Sequence, residues 1–240
     1  MKIFVSIVSH GNQAEISESN LIEKLEGLEV IVRENIPNTK LQMSGVHSYY
    51  NNLNICGFGA NHNKSFEVVA PNSNDWFIIC NPDILVSTDV VLEIVKRAIS
   101  DNEDIAVPFL YNGKTRQFDH NVRRFPTVLT QARSLFGMTD PSRYTKDEIE
   151  NLNYPDFASG AFIAVKASKF LQLNGFDEDF FMYLEDADLC RRATNAGSRI
   201  RFYSDITVTH NAARSSRKIF SELFFHHIKS SIKFSIKGLR

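Results

Sequence analysis

The hydrophobic positions in the first half of the chain follow two alternating spacings. Continuous runs of apolar residues predict strands over residues 3–8, 28–32, 76–80 and 105–109. Between them, apolar residues three and four positions apart predict helices over residues 15–25, 58–69 and 90–99. Strands that alternate with helices are typical of βαβ units, in which a largely parallel sheet is covered by helices on both faces. The pattern therefore predicts an α/β fold with a Rossmann-like, mostly parallel central sheet.

Polar residues follow three of the predicted strands. Residues 9–12 (SHGN) come after the first strand, Glu34 and Asn35 after the second, and Asn81-Pro82-Asp83 after the third. Open α/β sheets bind ligands at the carboxyl ends of their strands, so these residues are expected to converge on one crevice.

The second half of the chain is less regular. A hairpin is expected around Asn112-Gly113, and residues 157–170 read as a strand that runs into a short helix. Helical spacing over 184–196 ends at Gly197, and two strand-like segments follow at 199–204 and 206–210. Since no internal repeat or linker is visible, we expect one domain over residues 1–213 and a tail over residues 214–240.

The composition of the chain argues against several classes of protein. The 240 residues are 43% hydrophobic and carry a formal net charge of -1, which gives no overall attraction to nucleic acid. The three cysteines are scattered and lack CxxC spacing, so neither a disulfide framework nor a zinc cluster is indicated. The sequence shows neither a standard signal peptide nor an apolar run long enough to span a membrane. A cytoplasmic protein is expected.

Asp83 ends the stretch DWFIICNPD (75–83) and has two interpretations. Asn, Pro and Asp are common turn formers, so the residues after the strand are explained by an ordinary loop. Alternatively, the carboxylate meets Mg²⁺ or Mn²⁺ on a diphosphate, because these cations take one or two carboxylates and complete their shell with phosphate and water.

Three acids, Glu185, Asp186 and Asp188, stand at the predicted start of the helix over 184–196. Acidic residues in the first turn of a helix are stabilised by the helix dipole. Asp188 can also pair with the arginines three and four positions later. The aromatic run before them (180–184) predicts partial burial, which raises the pKa of a carboxyl group toward the range of a general base.

Two further signals are weak when they stand alone. His210 ends an apolar segment and is either a structural histidine or a metal ligand. Residues 54–63 (NICGFGANHN) open a helix with two glycines, which is an incomplete phosphate-binding pattern.

The tail over 214–240 carries seven Lys/Arg residues against the single acid Glu222. Its apolar residues have helical spacing. It is therefore either a terminal helix packed on the domain or a basic amphipathic helix on an anionic membrane surface.

Five segments taken in order resemble a known family: VSIVSHGN, NICGFGANHN, FIICNPDI, ASGAFIAVKASKF and the long motif over 174–210. They are similar to the family 2 glycosyltransferases of the GT-A fold, in the rhamnosyltransferase-like branch that builds bacterial surface polysaccharides. The resemblance covers almost the whole chain, and the last motif is the most specific.

The resemblance implies roles for individual residues. Asp83 corresponds to the family's metal-binding DxD motif, and His210 to a histidine that reaches the metal in some members. Asp186 corresponds to the catalytic base, with Glu185 as second choice. The residues expected to bind the donor are Ser9, His10, Glu34, Asn61, Asn81, Asp83, Gly160 and Arg214.

The implied activity is inverting transfer of a sugar, dependent on Mg²⁺ or Mn²⁺, from a UDP or dTDP sugar to a glycan acceptor. A lipid-linked oligosaccharide at the inner face of the cytoplasmic membrane is the expected acceptor. Two features depart from the family pattern. Glu34-Asn35 replaces the usual aspartate-asparagine after the second strand, and the metal motif holds one acid only.

Three alternatives remain at this point. A sugar nucleotidyltransferase shares the sheet and the metal acid, but it is expected to have a Gly-rich basic loop after the first strand, which SHGNQAEIS (9–17) is not. A non-catalytic binding or assembly subunit is compatible with the single-acid metal motif. A metal-dependent hydrolase usually needs more His and Asp ligands than are grouped here.

Overall fold

A mixed central sheet organises the residues that the computed structural model describes, which are 1–39, 46–127, 130, 140–211 and 222–238. Its strands run in the spatial order β3-β2-β1-β4-β10-β6-β11-β5, and β7 pairs with β6. A separate small sheet joins β8 to β9. The strands are β1 (Ile3–Ser9), β2 (Glu29–Glu34), β3 (Ser48–Asn51), β4 (Trp76–Cys80), β5 (Ile84–Leu85), β6 (Ile105–Asn112), β7 (Gln117–Phe118), β8 (Val122–Arg123), β9 (Phe157–Ala158), β10 (Phe162–Lys166) and β11 (Ile200–His210).

The first half of the chain builds the parallel part of the sheet. Strands β3, β2, β1 and β4 are parallel neighbours, as the βαβ pattern predicts. The second half departs from this pattern, because β10 lies antiparallel between β4 and β6. Beyond it, β11 runs parallel to β6 and closes the sheet with the short antiparallel strand β5.

Helices flank the sheet, and the long ones agree with the predicted periods. The helices are α1 (Gln13–Glu18), α2 (Leu21–Lys24), α3 (Phe58–Val69), α4 (Thr88–Ser100), α5 (Lys146–Asn151), α6 (Ala167–Gln172), α7 (Glu185–Asn195) and α8 (Glu222–Lys237). The single helix predicted over 15–25 is two short helices instead. Asn20 has a left-handed backbone (φ +51°) between them, a conformation that asparagine tolerates better than most residues. No helix among these described elements is long and apolar enough to cross a bilayer.

Two strand predictions differ in detail from the structure. The segments predicted over 199–204 and 206–210 form one strand, β11, whose pairing with β6 shifts register between Tyr203 and Thr207. Strands β3 and β5 were not predicted, since one is a mostly polar tetrapeptide and the other has two residues. The predicted hairpin is confirmed as the β6–β7 connection.

The hydrophobic core lies in two layers, one on each face of the sheet. All five residues of β4 are buried: Trp76, Ile78 and Cys80 belong to one layer, and Phe77 and Ile79 to the other. Successive side chains of a strand point to opposite faces, so a continuous apolar run is the pattern of a strand covered on both sides.

His62 is a fully buried histidine on α3, which packs against β1. Its Nδ1 lies 2.9 Å from Oγ of Ser6, and its ring meets that of Phe58 edge-on at 4.6 Å. Burial, together with the nearby Arg33 guanidinium, lowers the pKa of His62 to about 3. The imidazole is therefore neutral in the folded protein.

We expect His62 to make the protein sensitive to acid. Its folded pKa of about 3 lies below the ordinary value of 6.5, so the unfolded chain takes up the proton first. The contribution of neutral His62 to the free energy of unfolding is complete above pH 6.5. It is lost as the pH falls toward 3, at about 1.4 kcal/mol per pH unit. Urea unfolding between pH 7 and 4.5 should show a shallower decline for His62→Gln than for wild type. Parallel curves would contradict this, and His10→Gln is the control at an exposed histidine.

Candidate functional site

A cavity of about 270 Å³ opens where the carboxyl ends of central strands meet the first turn of α7. Its wall brings together polar residues from distant parts of the chain, including Asn81, Asp119, Gly160, Glu185, Asp186 and His210. Three of the predicted site residues, Asn81, Gly160 and His210, therefore share one cavity with the two predicted catalytic acids.

The turn after β4 brings Asp83 to the end of β11. The amide of Asn81 donates to the carbonyl of Ala161 (2.9 Å), and that of Ile84 donates back to the carbonyl of Asn81 (3.2 Å). Ile84 then pairs with His210 in the antiparallel β5–β11 ladder. The amide of Asn211 donates to the carbonyl of Asp83 at 2.9 Å, which completes the connection. Backbone pairing thus determines where this carboxylate lies.

His210 lies between two carboxylates. Its Nδ1 is 2.5 Å from Oδ2 of Asp119, and its Nε2 is 3.2 Å from Oδ1 of Asp83. Asp119 is held in turn by Asn112, whose Nδ2 donates to Oδ1 at 3.0 Å. Burial alone would lower the pKa of His210, but the two carboxylates outweigh it and raise the pKa to about 9. The imidazole therefore carries a proton that a metal ion would have to displace.

The residues around Asp83 fit a divalent cation that is shared with phosphate. Oδ1 of Asp83 is buried and has no hydrogen-bond partner, since His210 approaches it without hydrogen-bond geometry. Within the described ranges, no group of three or more His, Cys, Asp or Glu side chains is arranged to hold a metal. Asp83 and His210 would supply two ligands, and phosphate and water the others, as is usual for Mg²⁺ and Mn²⁺.

The two acids at the start of α7 follow a strained segment of backbone. Tyr183 and Leu184 both have left-handed φ angles, of +71° and +67°, which are uncommon for residues with large side chains. Asp186 then accepts two backbone hydrogen bonds, from the amide of Gly160 to Oδ2 (3.0 Å) and from the amide of Ala187 to Oδ1 (2.8 Å). Oε2 of the neighbouring Glu185 is buried without a partner.

The environments of Glu185 and Asp186 separate their protonation states. Burial, and then the charge of Asp186, raises the pKa of Glu185 well above its ordinary value. Burial also raises the pKa of Asp186, but the two backbone amides and the Arg123 guanidinium oppose that rise. Asp186 therefore ionises before Glu185, so it is the better candidate for the base.

Gly160 allows the close approach of Asp186 to the β9–β10 connection. A Cβ atom on Gly160 would lie 2.8 Å from the ring of Phe58, closer than real Cβ contacts come. The absence of a side chain keeps the Gly160 amide within reach of the Asp186 carboxylate.

Ser9 and Glu34 form a buried cluster at the ends of β1 and β2. Glu34 is fully buried, and Oε2 accepts hydrogen bonds from Oγ of Ser9 (2.6 Å) and from Gln13. Its other oxygen accepts from the amides of Gly11 (3.1 Å) and Ile36 (2.9 Å). The glutamate therefore orders the two strand ends, and its contact with a donor stays a prediction.

Asn61 belongs to a second buried network. Its Oδ1 accepts from Nδ2 of Asn52 (2.6 Å), and its Nδ2 donates to the carbonyl of Gly57 (2.9 Å). Asn52 also donates to Oδ1 of Asn35 at 2.9 Å, which connects this network to the end of β2. Neither Asn61 nor Glu34 lines the cavity described above. His10 is exposed beside them, and Arg214 lies outside the described residues.

Several polar residues of the cavity wall were not singled out from the sequence, among them Asp119, His120 and Arg123. The predicted hairpin was a usable signal for Asp119 and His120, because its second strand returns the chain toward the end of a neighbouring strand. The adjacent arginines 123 and 124 were a second signal in a chain without excess positive charge.

Comparison with known proteins identifies the family. The chain is 30% identical over 244 residues to the rhamnosyltransferase WbbL of Escherichia coli K12, and the match covers 97% of this chain and 92% of the relative. The chain belongs to the family 2 glycosyltransferases, in their rhamnosyltransferase-like branch. It is therefore an enzyme of the glycosyltransferase class.

A second relative is more distant. It is the N-acetylglucosaminyl-diphospho-decaprenol L-rhamnosyltransferase of Mycobacterium tuberculosis H37Rv, 27% identical over 202 residues, with 80% of this chain and 65% of the relative covered. Residues 145–214 also match a family described as the N-terminal domain of galactosyltransferase.

Solved structures confirm the GT-A fold. GalNAc-T7 with UDP, GalNAc and Mn²⁺ matches with a TM-score of 0.66 over 88% of this chain and 44% of its own, at 14% identity. Residues 1–349 of S. aureus TarS, in complex with UDP-GlcNAc, match with a TM-score of 0.61 over 95% of this chain and 64% of that chain, also at 14% identity. At these identities the likeness concerns the fold alone.

Proposed function

We propose that this enzyme is an inverting, metal-dependent glycosyltransferase that uses a UDP or dTDP sugar. The observation that carries the proposal is the composition of one cavity. His210, backed by Asp83, lies in one part of its wall, and Asp186, with a raised pKa, lies in another. A leaving group and an attacking hydroxyl need these two kinds of side chain at the same time.

The names of the relatives support a narrower choice of substrates. Two are rhamnosyltransferases, so a nucleotide-linked rhamnose is the first donor to test. The name of the mycobacterial relative includes N-acetylglucosamine joined to a lipid through a diphosphate. We propose an acceptor of that class here, a short saccharide on a lipid diphosphate, used for surface polysaccharide synthesis.

On the donor side, Asp83 and His210 would hold Mg²⁺ or Mn²⁺. The bound cation would supply positive charge to the departing nucleoside diphosphate. Asp83 is suited to this role because its buried Oδ1 faces His210 without a hydrogen bond and is fixed by the β5–β11 pairing. Asp119 orients the imidazole of His210 from the opposite side.

On the acceptor side, Asp186 acts as general base. Its carboxylate takes the proton of the acceptor hydroxyl while the hydroxyl oxygen bonds to the anomeric carbon, and the bond to the diphosphate breaks with its electron pair. The amides of Gly160 and Ala187 orient the carboxylate for this transfer. Attack opposite the leaving group inverts the anomeric centre.

Donor binding should depend on Asp83. Isothermal titration with UDP and dTDP should show that one nucleotide binds wild type in Mn²⁺ and far more weakly in EDTA. We expect Asp83→Ala to raise the Kd at least tenfold in Mn²⁺, because a cation ligand is lost. Asp89→Asn, which changes an exposed acid of α4, should match wild type. Equal binding in EDTA and Mn²⁺ would refute the metal-dependent site.

Turnover should distinguish the two acids at the start of α7. We expect Asp186→Asn to lower kcat by about 10²- to 10⁴-fold, the usual contribution of a general base. Glu185→Gln should cost less than tenfold, because burial and the charge of Asp186 raise the pKa of Glu185 well above its ordinary value and so favour its protonated form. Initial rates at saturating donor, with circular dichroism to check folding, measure both variants. The reverse order of losses would assign the base to Glu185.

Helix α8 has a side that suits an anionic membrane surface. Its inner side packs on the protein: Ser230 donates to the carbonyl of Met182 (2.8 Å), and Phe234 lies under the guanidinium of Arg191 at 3.9 Å. Ile232 and Ile236 on the outer side are 57% and 54% exposed, and Lys229 is exposed near them. We propose that this side contacts the inner face of the cytoplasmic membrane.

Liposome flotation tests the membrane contact in the full chain. Wild type should float with vesicles that contain anionic lipid, and the double variant Ile232→Ser/Ile236→Ser should remain largely unbound, since insertion of apolar side chains is lost. The matched control is Val68→Ser/Ile99→Ser, which removes two apolar side chains that are each 51% exposed on α3 and α4. Equal flotation of both double variants would argue against α8 as the contact.

A further inference from the structure

A group of cationic and imidazole side chains beside the base has no role in the mechanism above. Arg123 of β8 lies directly opposite Arg143 in an isolated antiparallel bridge. Residues directly opposite in such a pair extend their side chains to the same face. The bridge is fixed by backbone bonds, since the amide of Arg124 donates to the carbonyl of Ser142 at 2.8 Å. Two guanidinium groups are therefore held side by side.

The positive charge of this group is only partly compensated. Arg123 donates through Nε to the carbonyl of His120 (3.0 Å) and pairs with Oδ2 of Asp140 at 3.3 Å. Arg143 has an exposed side chain and makes no ion pair with any residue in the described parts of the chain. Burial and then the charge of Arg143 lower the pKa of Arg123, and the carboxylates of Asp140, Asp186 and Asp119 oppose this shift without cancelling it.

His120 adds an unused hydrogen-bonding atom. Its ring lines the same cavity, and its Nδ1 is buried without a hydrogen-bond partner. Unpaired buried polar atoms are rare in proteins, because each loses its hydrogen bonds to water. Burial, and then the charges of Arg143 and Arg123, lower the pKa of His120, so it would donate as a neutral imidazole. The guanidinium group of Arg123 and the imidazole of His120 thus line the cavity, and Arg143 lies beside Arg123.

We infer that Arg123, Arg143 and His120 form a subsite for the diphosphate of the acceptor. Guanidinium groups bind phosphate oxygens in a bidentate manner, and a diphosphate has enough oxygens for all three side chains. The inference rests on the proposed function, because it assigns the part of the acceptor that this surface binds.

The position of the subsite favours the acceptor's diphosphate over the donor's. Beyond its ion pair with Asp140, Arg123 interacts electrostatically more with Asp186, the residue proposed to contact the acceptor hydroxyl, than with Asp119 beside His210. The donor's diphosphate belongs with Asp83 and His210 at the strand ends. A phosphate held by Arg123 and Arg143 therefore lies on the acceptor side of the cavity, which suits a short saccharide between the hydroxyl and the lipid diphosphate.

Arg143 is the residue to change, because its exposed side chain supports no described contact. Initial rates should be compared for two acceptors with the same sugar, farnesyl-diphospho-N-acetylglucosamine and the neutral octyl N-acetylglucosaminide. We expect Arg143→Ala to raise KM for the diphosphate acceptor at least tenfold relative to its effect on the neutral one, with Arg143→Lys intermediate. The control is Lys146→Ala, which removes an exposed cation three residues away.

The inference is overturned if Arg143→Ala raises KM equally for both acceptors, if it changes KM for neither, or if it raises the KM of the donor instead. A binding arm separates this result from a failure of the proposed function. Farnesyl diphosphate, titrated in EDTA without donor, should bind wild type and Lys146→Ala alike, at least fivefold more weakly to Arg143→Ala, and farnesol should not compete. Absence of this binding in wild type refutes the subsite, whereas its presence without turnover refutes only the proposed reaction.

Discussion

The pairing of β5 with β11 is the constraint on which the proposed donor side of the cavity depends. Two residues of β5 are enough to hold Asp83 against His210 at the end of the neighbouring strand. Asp119 reaches the same imidazole from the β6–β7 hairpin, so two separate turns meet at one ring. A buried carboxylate is costly unless it is paired, and Oδ1 of Asp83 has the charge of His210 at 3.2 Å but no hydrogen bond.

The proposed acceptor side depends on a helix terminus rather than on strand pairing. Its carboxylates stand in the first turn of α7, where the helix dipole and two backbone amides favour the ionised form of Asp186. Oε2 of Glu185 has no hydrogen-bond partner, and burial and the charge of Asp186 raise the pKa of Glu185 well above its ordinary value. Adjacent acids in one helix turn thus differ in pKa because their surroundings differ. The left-handed backbone at Tyr183 and Leu184 is the local strain that accompanies this arrangement.

Local sequence patterns were sufficient to predict most of the sheet and the long helices, because a buried strand and an amphipathic helix each bury a periodic set of side chains. They were also sufficient to select Asp83, Asp186 and His210, which the structure brings to one region. They could not reveal Arg123, whose strand is held by pairings with distant segments that leave no periodic trace, whereas Asp119 follows the predicted hairpin and lay close to a local signal. Glu34 illustrates another limit, because sequence position cannot show that both of its oxygens are already occupied.

The contacts of α8 connect the outer surface of the protein to the part of the cavity wall that holds Asp186. Ser230 holds the carbonyl of Met182, and Phe181 stacks on His226 at 4.6 Å, so the helix supports the segment that leads into α7. In the same segment, the carbonyl of Phe181 accepts a hydrogen bond from the amide of Phe58, which fixes the loop before α3. Contact of α8 with a lipid surface would therefore bear directly on the backbone that positions Asp186. A lipid-linked acceptor would then meet the base from the same side on which the enzyme is held.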